Sequence, residues 1–89
     1  MKLSWDEAKQ QATLARRGLD FSSVLELFAG LHFTAEDLRA DYGERRFVSA
    51  GFIAMRLCVA VWTPRDEARH IISMRKANDR EKKRFAKNG

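Results

Sequence analysis

The stretch Arg69-His70-Ile71-Ile72-Ser73-Met74-Arg75 joins residues that handle phosphate to a two-residue alternation. In a regular strand, Arg69, Ile71, Ser73 and Arg75 face one way and His70, Ile72 and Met74 the other. If helices cover the second side, the first presents two arginines flanking a serine. Guanidinium groups stay charged and can grip two oxygens at once, so such a row suits a phosphate. The competing reading is decoration, with Arg69 and Arg75 paired to Asp41, Glu44 or Asp66. Residue types alone do not separate the two.

Cleaving RNA without a metal needs three things: help in deprotonating the 2′-hydroxyl, cations on the crowded phosphate, and a proton for the leaving oxygen. The candidates are Lys9, Asp41, Glu44 and His70. Asp41 and Glu44 read equally well as loop carboxylates paired with Arg45 or Arg46, and His70 as a packed or strand-edge histidine. Trp5 and Trp62 read as core, and Tyr42, in a polar loop, is the better platform for stacking a base. No CxxC, HExxH, GxSxG or phosphate-binding glycine loop is present, and His32 and His70 are far apart. No metal site or cofactor is expected.

The net charge of +5 is unevenly placed. Residues 1–74 hold ten basic and ten acidic side chains, whereas residues 75–89 hold seven basic and two acidic, which supplies the whole excess. One reading is a solubilising tail. The other is a surface for a polyanion such as RNA, with Lys76, Arg80, Lys83 and Arg84 on it and Arg46 contributing from the loop.

The elements that must position these groups follow from periodicity. Ser4 to Glu7 has capping-box spacing, so a helix is expected from there, with Trp5, Ala8, Ala12 and Ala15 as a narrow packing stripe and Gly18 as the stop. Asp20 or Ser22 opens a second helix with Phe21, Val24, Leu25 and Phe28 on its apolar face and Gly30 at its end. A short edge strand is expected at Leu31 to Thr34, followed by a polar excursion. RFVSAGF, LCVAVWT and RHIISMR read as antiparallel strands joined by IAMR and PRDEA, with Pro64 in a turn. LCVAVWT is apolar on both faces and therefore central. Asn78 to Glu81 caps a basic last helix anchored by Phe85. The expected fold is α+β: two N-terminal helices on a three- to four-stranded antiparallel sheet, then a short basic C-terminal helix.

Residues 1–89 read as a single domain, and a chain of this length can bury somewhat over about 60% of its unfolded surface. No window approaches a membrane span, and MKLSWDEAKQ has no apolar signal segment. Cys58 lies in an apolar run without an intrachain partner, so it reads as a buried thiol. A cytoplasmic protein is expected.

In order and spacing the chain resembles the BrnT family of type II toxin–antitoxin toxins, small ribonucleases with a RelE-like fold. The resemblance rests on WDEAK at 5–9, RRGLDF ending at Phe21, DYGERRF at 41–47, Gly51, RHIISMRKA at 69–77, Glu81 and Phe85. It implies an endoribonuclease of the mRNA interferase type that slows translation. It also implies a cognate ribbon-helix-helix antitoxin, with operator DNA reached only through that antitoxin. The residues carried over are Trp5, Asp6, Lys9, Gly18, Asp41, Glu44, Arg46, Arg69, Ser73, Arg75 and Ala77. The implied site has Arg69 and Arg75 on phosphate, Lys9 nearby, and Asp41 or Glu44 as base. Three positions depart from the family pattern: Arg17 stands where a histidine is common, Ala29-Gly30 where Asp-Pro is, and Met74 where alanine is. Arg17 keeps its proton and cannot replace a histidine in proton transfer. The alternative is a fold relative with weakened catalysis that binds an antitoxin or nucleic acid.

Overall fold

A computed structural model describes residues 1–88. In chain order the elements are β1 (Leu3–Trp5), α1 (Glu7–Arg17), a 3-10 turn (Phe21–Ser23), α2 (Val24–Ala29), β2 (His32–Glu36), β3 (Phe47–Ile53), β4 (Arg56–Arg65), β5 (Ala68–Lys76) and α3 (Asp79–Asn88). The fold is α+β, built on one sheet of five strands in the order β1-β5-β4-β3-β2. β2 to β5 form an antiparallel meander, and β1 lies parallel to β5. The sheet is therefore mixed and larger than the antiparallel one of three or four strands that the sequence led us to expect.

The extra strand explains a second difference. Ser4 and Glu7 do not form a capping box: Asp6 caps α1, its carboxylate accepting from the Lys9 N–H at 3.2 Å. The residues before Asp6 are extended because they pair with β5, Ser4 opposite His70 and Trp5 opposite Ile71. Gly18 ends α1 as expected, with φ +67° and its N–H bonded to the Leu14 carbonyl.

β4 is central, as its two apolar faces require. Its connections to β3 and β5 are two-residue turns at Ala54-Met55 and Asp66-Glu67, all four residues at positive φ. Pro64 is inside β4, opposite Arg69, rather than in a turn. This is tolerated because the β3–β4 ladder has already ended at Trp62, so no β3 carbonyl waits for the missing N–H.

One face of the sheet carries the main core, where Cys58, Ala60, Trp62, Ile71 and Met74 pack against Leu19, Phe21, Val24, Leu27 and Phe28. On α2 it is Leu27, not Leu25, that is buried. The alanine stripe of α1 is exposed, and the buried position is Gln10. The Gln10 amide donates to Asp20 and accepts from the Phe21 N–H, both at 2.7 Å, and so fixes the corner between the helices. Arg17 donates to the Met74 carbonyl at 2.8 Å, tying the end of α1 to β5.

The opposite face is covered over one half only. There α3 lays Phe85 on Leu57, Val59, Phe33, Val48 and Ala50. A capping box starts α3, with Asn78 and Glu81 each accepting from the other's backbone N–H at 2.9 Å. Beyond Phe85 the open part of this face is the strip of Val61, His70 and Ser73, each half-buried, beside a buried Thr63 whose hydroxyl donates to the Arg45 carbonyl at 2.6 Å.

Candidate functional site: a basic row on the open face of the sheet

β5 is not a regular strand. Val61 pairs with Ser73 and Trp62 with Ile71, leaving Ile72 as the extra residue of a β-bulge. The bulge shifts the alternation by one. Arg69 and Ile71 point to the helix side, Met74 rejoins that side after the bulge, and His70, Ser73 and Arg75 share the open side. Arg69 and Arg75 thus lie on opposite faces, contrary to the arrangement that strict alternation predicts. The row that flanks Ser73 is His70 and Arg75. At about 3.3 Å per strand residue, their backbones stand roughly 13 Å apart across the four-residue span from Thr63 to Val59 opposite them.

Arg69 is held by aromatic faces. Its guanidinium carbon lies 4.4 Å from the Phe28 ring centre and 4.7 Å from that of Trp62, a cation–π sandwich on the helix side. Arg75 makes a two-pronged pair with Glu81 of α3, both hydrogen bonds 2.7 Å long. These bonds hold the Glu81 carboxyl down at about 2 and raise the Arg75 guanidinium. The Arg75 side chain is still 44% exposed, so a free edge remains for a ligand.

His70 is half-buried, and its Nδ1 is 2.9 Å from the Ser4 hydroxyl. Burial is the main force lowering its pKa from the ordinary histidine value of 6.5; Arg65 and Lys9 push the same way, while Glu44 and Asp6 oppose them. Those four charges act on the ring from three elements: Asp6 and Lys9 from the start of α1, Glu44 from the loop, Arg65 from the end of β4. An imidazole so placed is neutral near pH 7, and in the tautomer whose Nδ1–H donates to Ser4 its Nε2 is free to accept a proton.

The sequence candidates therefore separate. Glu44, Arg46 and Arg75 gather on or beside the open face, and Lys9 is near enough to His70 to act on its charge. Glu44 is bound by two arginines, Arg46 at 3.1 Å and Arg65 at 3.4 Å, and its pKa falls, first through Arg46, which makes it a poor base. Asp41 is exposed in the loop, its carboxylate bonded to the Gly43 N–H at 3.0 Å, a turn-forming role. Tyr42 is not a free platform: Arg46 covers its ring at 4.2 Å and its hydroxyl donates to Asp37 at 3.1 Å. Lys76 turns to the helix side opposite Cys58. Arg80, Lys83 and Arg84 are exposed on α3, Arg84 beside the cleft under Phe85.

Three contributors had not been singled out. Ser4 and Arg65 act through partners distant in sequence: the local signal at Ser4 reads as a helix cap, and none marks Arg65. Arg39 could have been noticed beside Asp37, which it grips with two 2.8 Å bonds. Arg39 also works against the rise in the Arg75 guanidinium, the repulsion expected of neighbouring cations.

The fold and the open face define a small one-sheet α+β protein with a neutral histidine among cations, an arrangement chemically suited to a polyanion. The chain belongs to the BrnT family, described as ribonuclease toxins of type II toxin–antitoxin systems, whose model matches residues 5–81. No curated protein matches it. The family brings an RNA substrate and an antitoxin partner. Among the described residues, no helix is long and apolar enough to cross a membrane.

Proposed function

We propose that this chain is the ribonuclease toxin itself, an endoribonuclease of the mRNA interferase type that cuts RNA on the open face of the sheet and so slows translation. Its proposed partner is a ribbon-helix-helix antitoxin that neutralises it and takes it to operator DNA; residues 1–89 act as one domain in the cytoplasm. The observation that carries the reading is the Ile72 bulge, which turns His70 rather than Arg69 toward the face that holds Ser73 and Arg75. Bulges often re-aim side chains beside active sites.

In the proposed reaction His70 Nε2 takes the proton of the 2′-hydroxyl. The freed oxygen attacks the adjacent phosphorus, the bond to the 5′-oxygen breaks, and that oxygen takes a proton from water while His70 returns its own proton to solvent. The products are a 2′,3′-cyclic phosphate and a 5′-hydroxyl. Lys9, Arg65 and Arg46 offset the charge that grows on the phosphate, while Arg75 and Arg39 hold a neighbouring phosphate. Arg80, Lys83 and Arg84 draw the strand in along α3. Glu44 orients Arg46 and Arg65 rather than accepting a proton.

The test is cleavage of an end-labelled RNA by the purified wild-type chain, His70→Gln and Arg75→Ala. The proposal expects cyclic-phosphate ends from the wild type and a loss of about 100-fold or more from His70→Gln, in the range of general-base removal. Unchanged cleavage by well-folded His70→Gln would remove the histidine from the mechanism.

A further inference from the structure

Between α3 and the start of the loop after β2 lies a cleft of about 410 Å³; Arg39 and Arg84 at its rim belong also to the proposed RNA path, but its apolar floor has no part in the cleavage chemistry. Its floor is hydrocarbon, from Ala35, Val48, Ala50 and Val59, and Phe33 and Phe85 close one side by packing on each other at 5.0 Å and 72°. At the rim stands Leu38, 80% exposed. The loop that carries Leu38 is fixed, because Asp37 beneath it is gripped by Arg39 and Tyr42. A large apolar side chain held out on a fixed loop beside an apolar cleft is the anatomy of a protein contact rather than of a base pocket, which would need hydrogen-bonding groups in its floor.

Charge says what kind of protein. The three carboxylates lining the cleft are already matched: Glu36 by Arg45, Asp37 by Arg39 and Glu81 by Arg75. The rest of that wall is positive, from Arg84 and the basic face of α3. We propose that the cleft is the docking site for an acidic segment of the antitoxin bearing one or two large apolar side chains. The segment's apolar groups fill the cleft against Leu38 and Phe85. Because Glu81 both lines the cleft and binds Arg75, the segment's carboxylates lie next to Arg75 and Arg39 and exclude RNA there. This part rests on the cleavage site proposed above; the docking itself rests on the cleft and on the toxin–antitoxin family.

The experiment uses the full chain and its antitoxin, purified from the co-expressed pair. Leu38→Ser and Ala35→Trp change two exposed positions, one by removing the apolar side chain without adding charge and one by filling the cleft, and circular dichroism checks that each variant folds. Each should weaken antitoxin binding at least tenfold in calorimetry and leave RNA cleavage by the free chain within twofold. Antitoxin binding unchanged in both variants overturns the proposal. Loss of cleavage with binding retained also overturns it and makes the cleft an RNA surface. If the wild type cuts no RNA, the cleavage reading fails alone, and the binding result still decides the cleft.

Discussion

Ile71 and Met74 are three residues apart on one strand, yet both are fully buried in the same core. Strict alternation would put them on opposite faces. The Ile72 bulge between them reconciles the two, and it sends Arg69 and Arg75 apart. Arg69→Ala should therefore act on stability, costing on the order of 1–2 kcal/mol for a cation held between two rings, and leave RNA cleavage within a few-fold. Arg75→Ala should lower RNA cleavage about tenfold or more and, through the loss of its pair with Glu81, cost a smaller amount of stability as well. Urea denaturation beside cleavage assays checks both; a folded Arg69→Ala protein with no activity would return Arg69 to the chemistry.

His70 sets a pH dependence with a definite sign. Its folded pKa lies below about 6.5, so the unfolded chain holds the extra proton in the window beneath that value. Stability contributed by this group is thus present above about 6.5 and falls as pH drops toward the folded pKa. Activity should show an acid limb with its midpoint below 6.5, where Nε2 becomes protonated, and His70→Gln should lack that limb. A limb that persists in the variant would assign it to another group.

Much of this architecture was legible in the sequence. The runs at β3, β4 and β5, the central place of β4, the edge strand near His32, the Gly18 stop and the Asn78 cap all follow from local spacing, and local rules decided them. What escaped depended on partners far along the chain. Leu3–Trp5 is a strand only because β5 offers it an edge, and the Ser4 signal was shared with Asp6, a better-placed cap. The bulge was hidden because Ile71-Ile72 reads equally well in either register. That single residue decided which basic side chain accompanies Arg75.

The Arg75–Glu81 pair ties α3 to β5 and should carry a measurable part of that helix's stability. Glu81→Ala removes both the pair and half of the capping box, with a cost on the order of 1–2 kcal/mol once the exposed guanidinium is allowed for. Glu81 titrates near 2 in the folded chain, against about 4.3 for a free glutamate. The ion-pair share is therefore present above about 4.3 and lost as pH falls toward 2. Wild type and variant should converge in that window when compared by urea denaturation. A difference constant from pH 7 to 2.5 would assign the effect to the cap alone.

The Ala54-Met55 turn carries avoidable strain. Both residues sit at positive φ, 49° and 65°, where a Cβ is disfavoured, and Met55 is 95% exposed, so its side chain gains little. Asn-Gly is the preferred pair for this turn. Ala54→Asn with Met55→Gly should raise stability by about 1 kcal/mol, keeping the bond from the Ala54 backbone N–H to Glu26, and should not alter cleavage. A lowered thermal midpoint would show that the Met55 side chain stabilises the fold.

Gly51 is required for a different reason, since its backbone is an ordinary strand in which any residue fits. A Cβ there would lie 2.9 Å from Leu27 Cγ and 3.0 Å from His32 Cβ. Leu27 is fully buried and cannot swing away, so α2 itself would have to lift from β3. Gly51→Ala should cost about 1–3 kcal/mol by overpacking. In a Leu27→Ala background the clash has no partner atoms at Cγ, so the same substitution should cost less than half as much, a coupling that a double-mutant cycle measures directly. Equal costs in the two backgrounds would mean that His32, not α2, limits the approach.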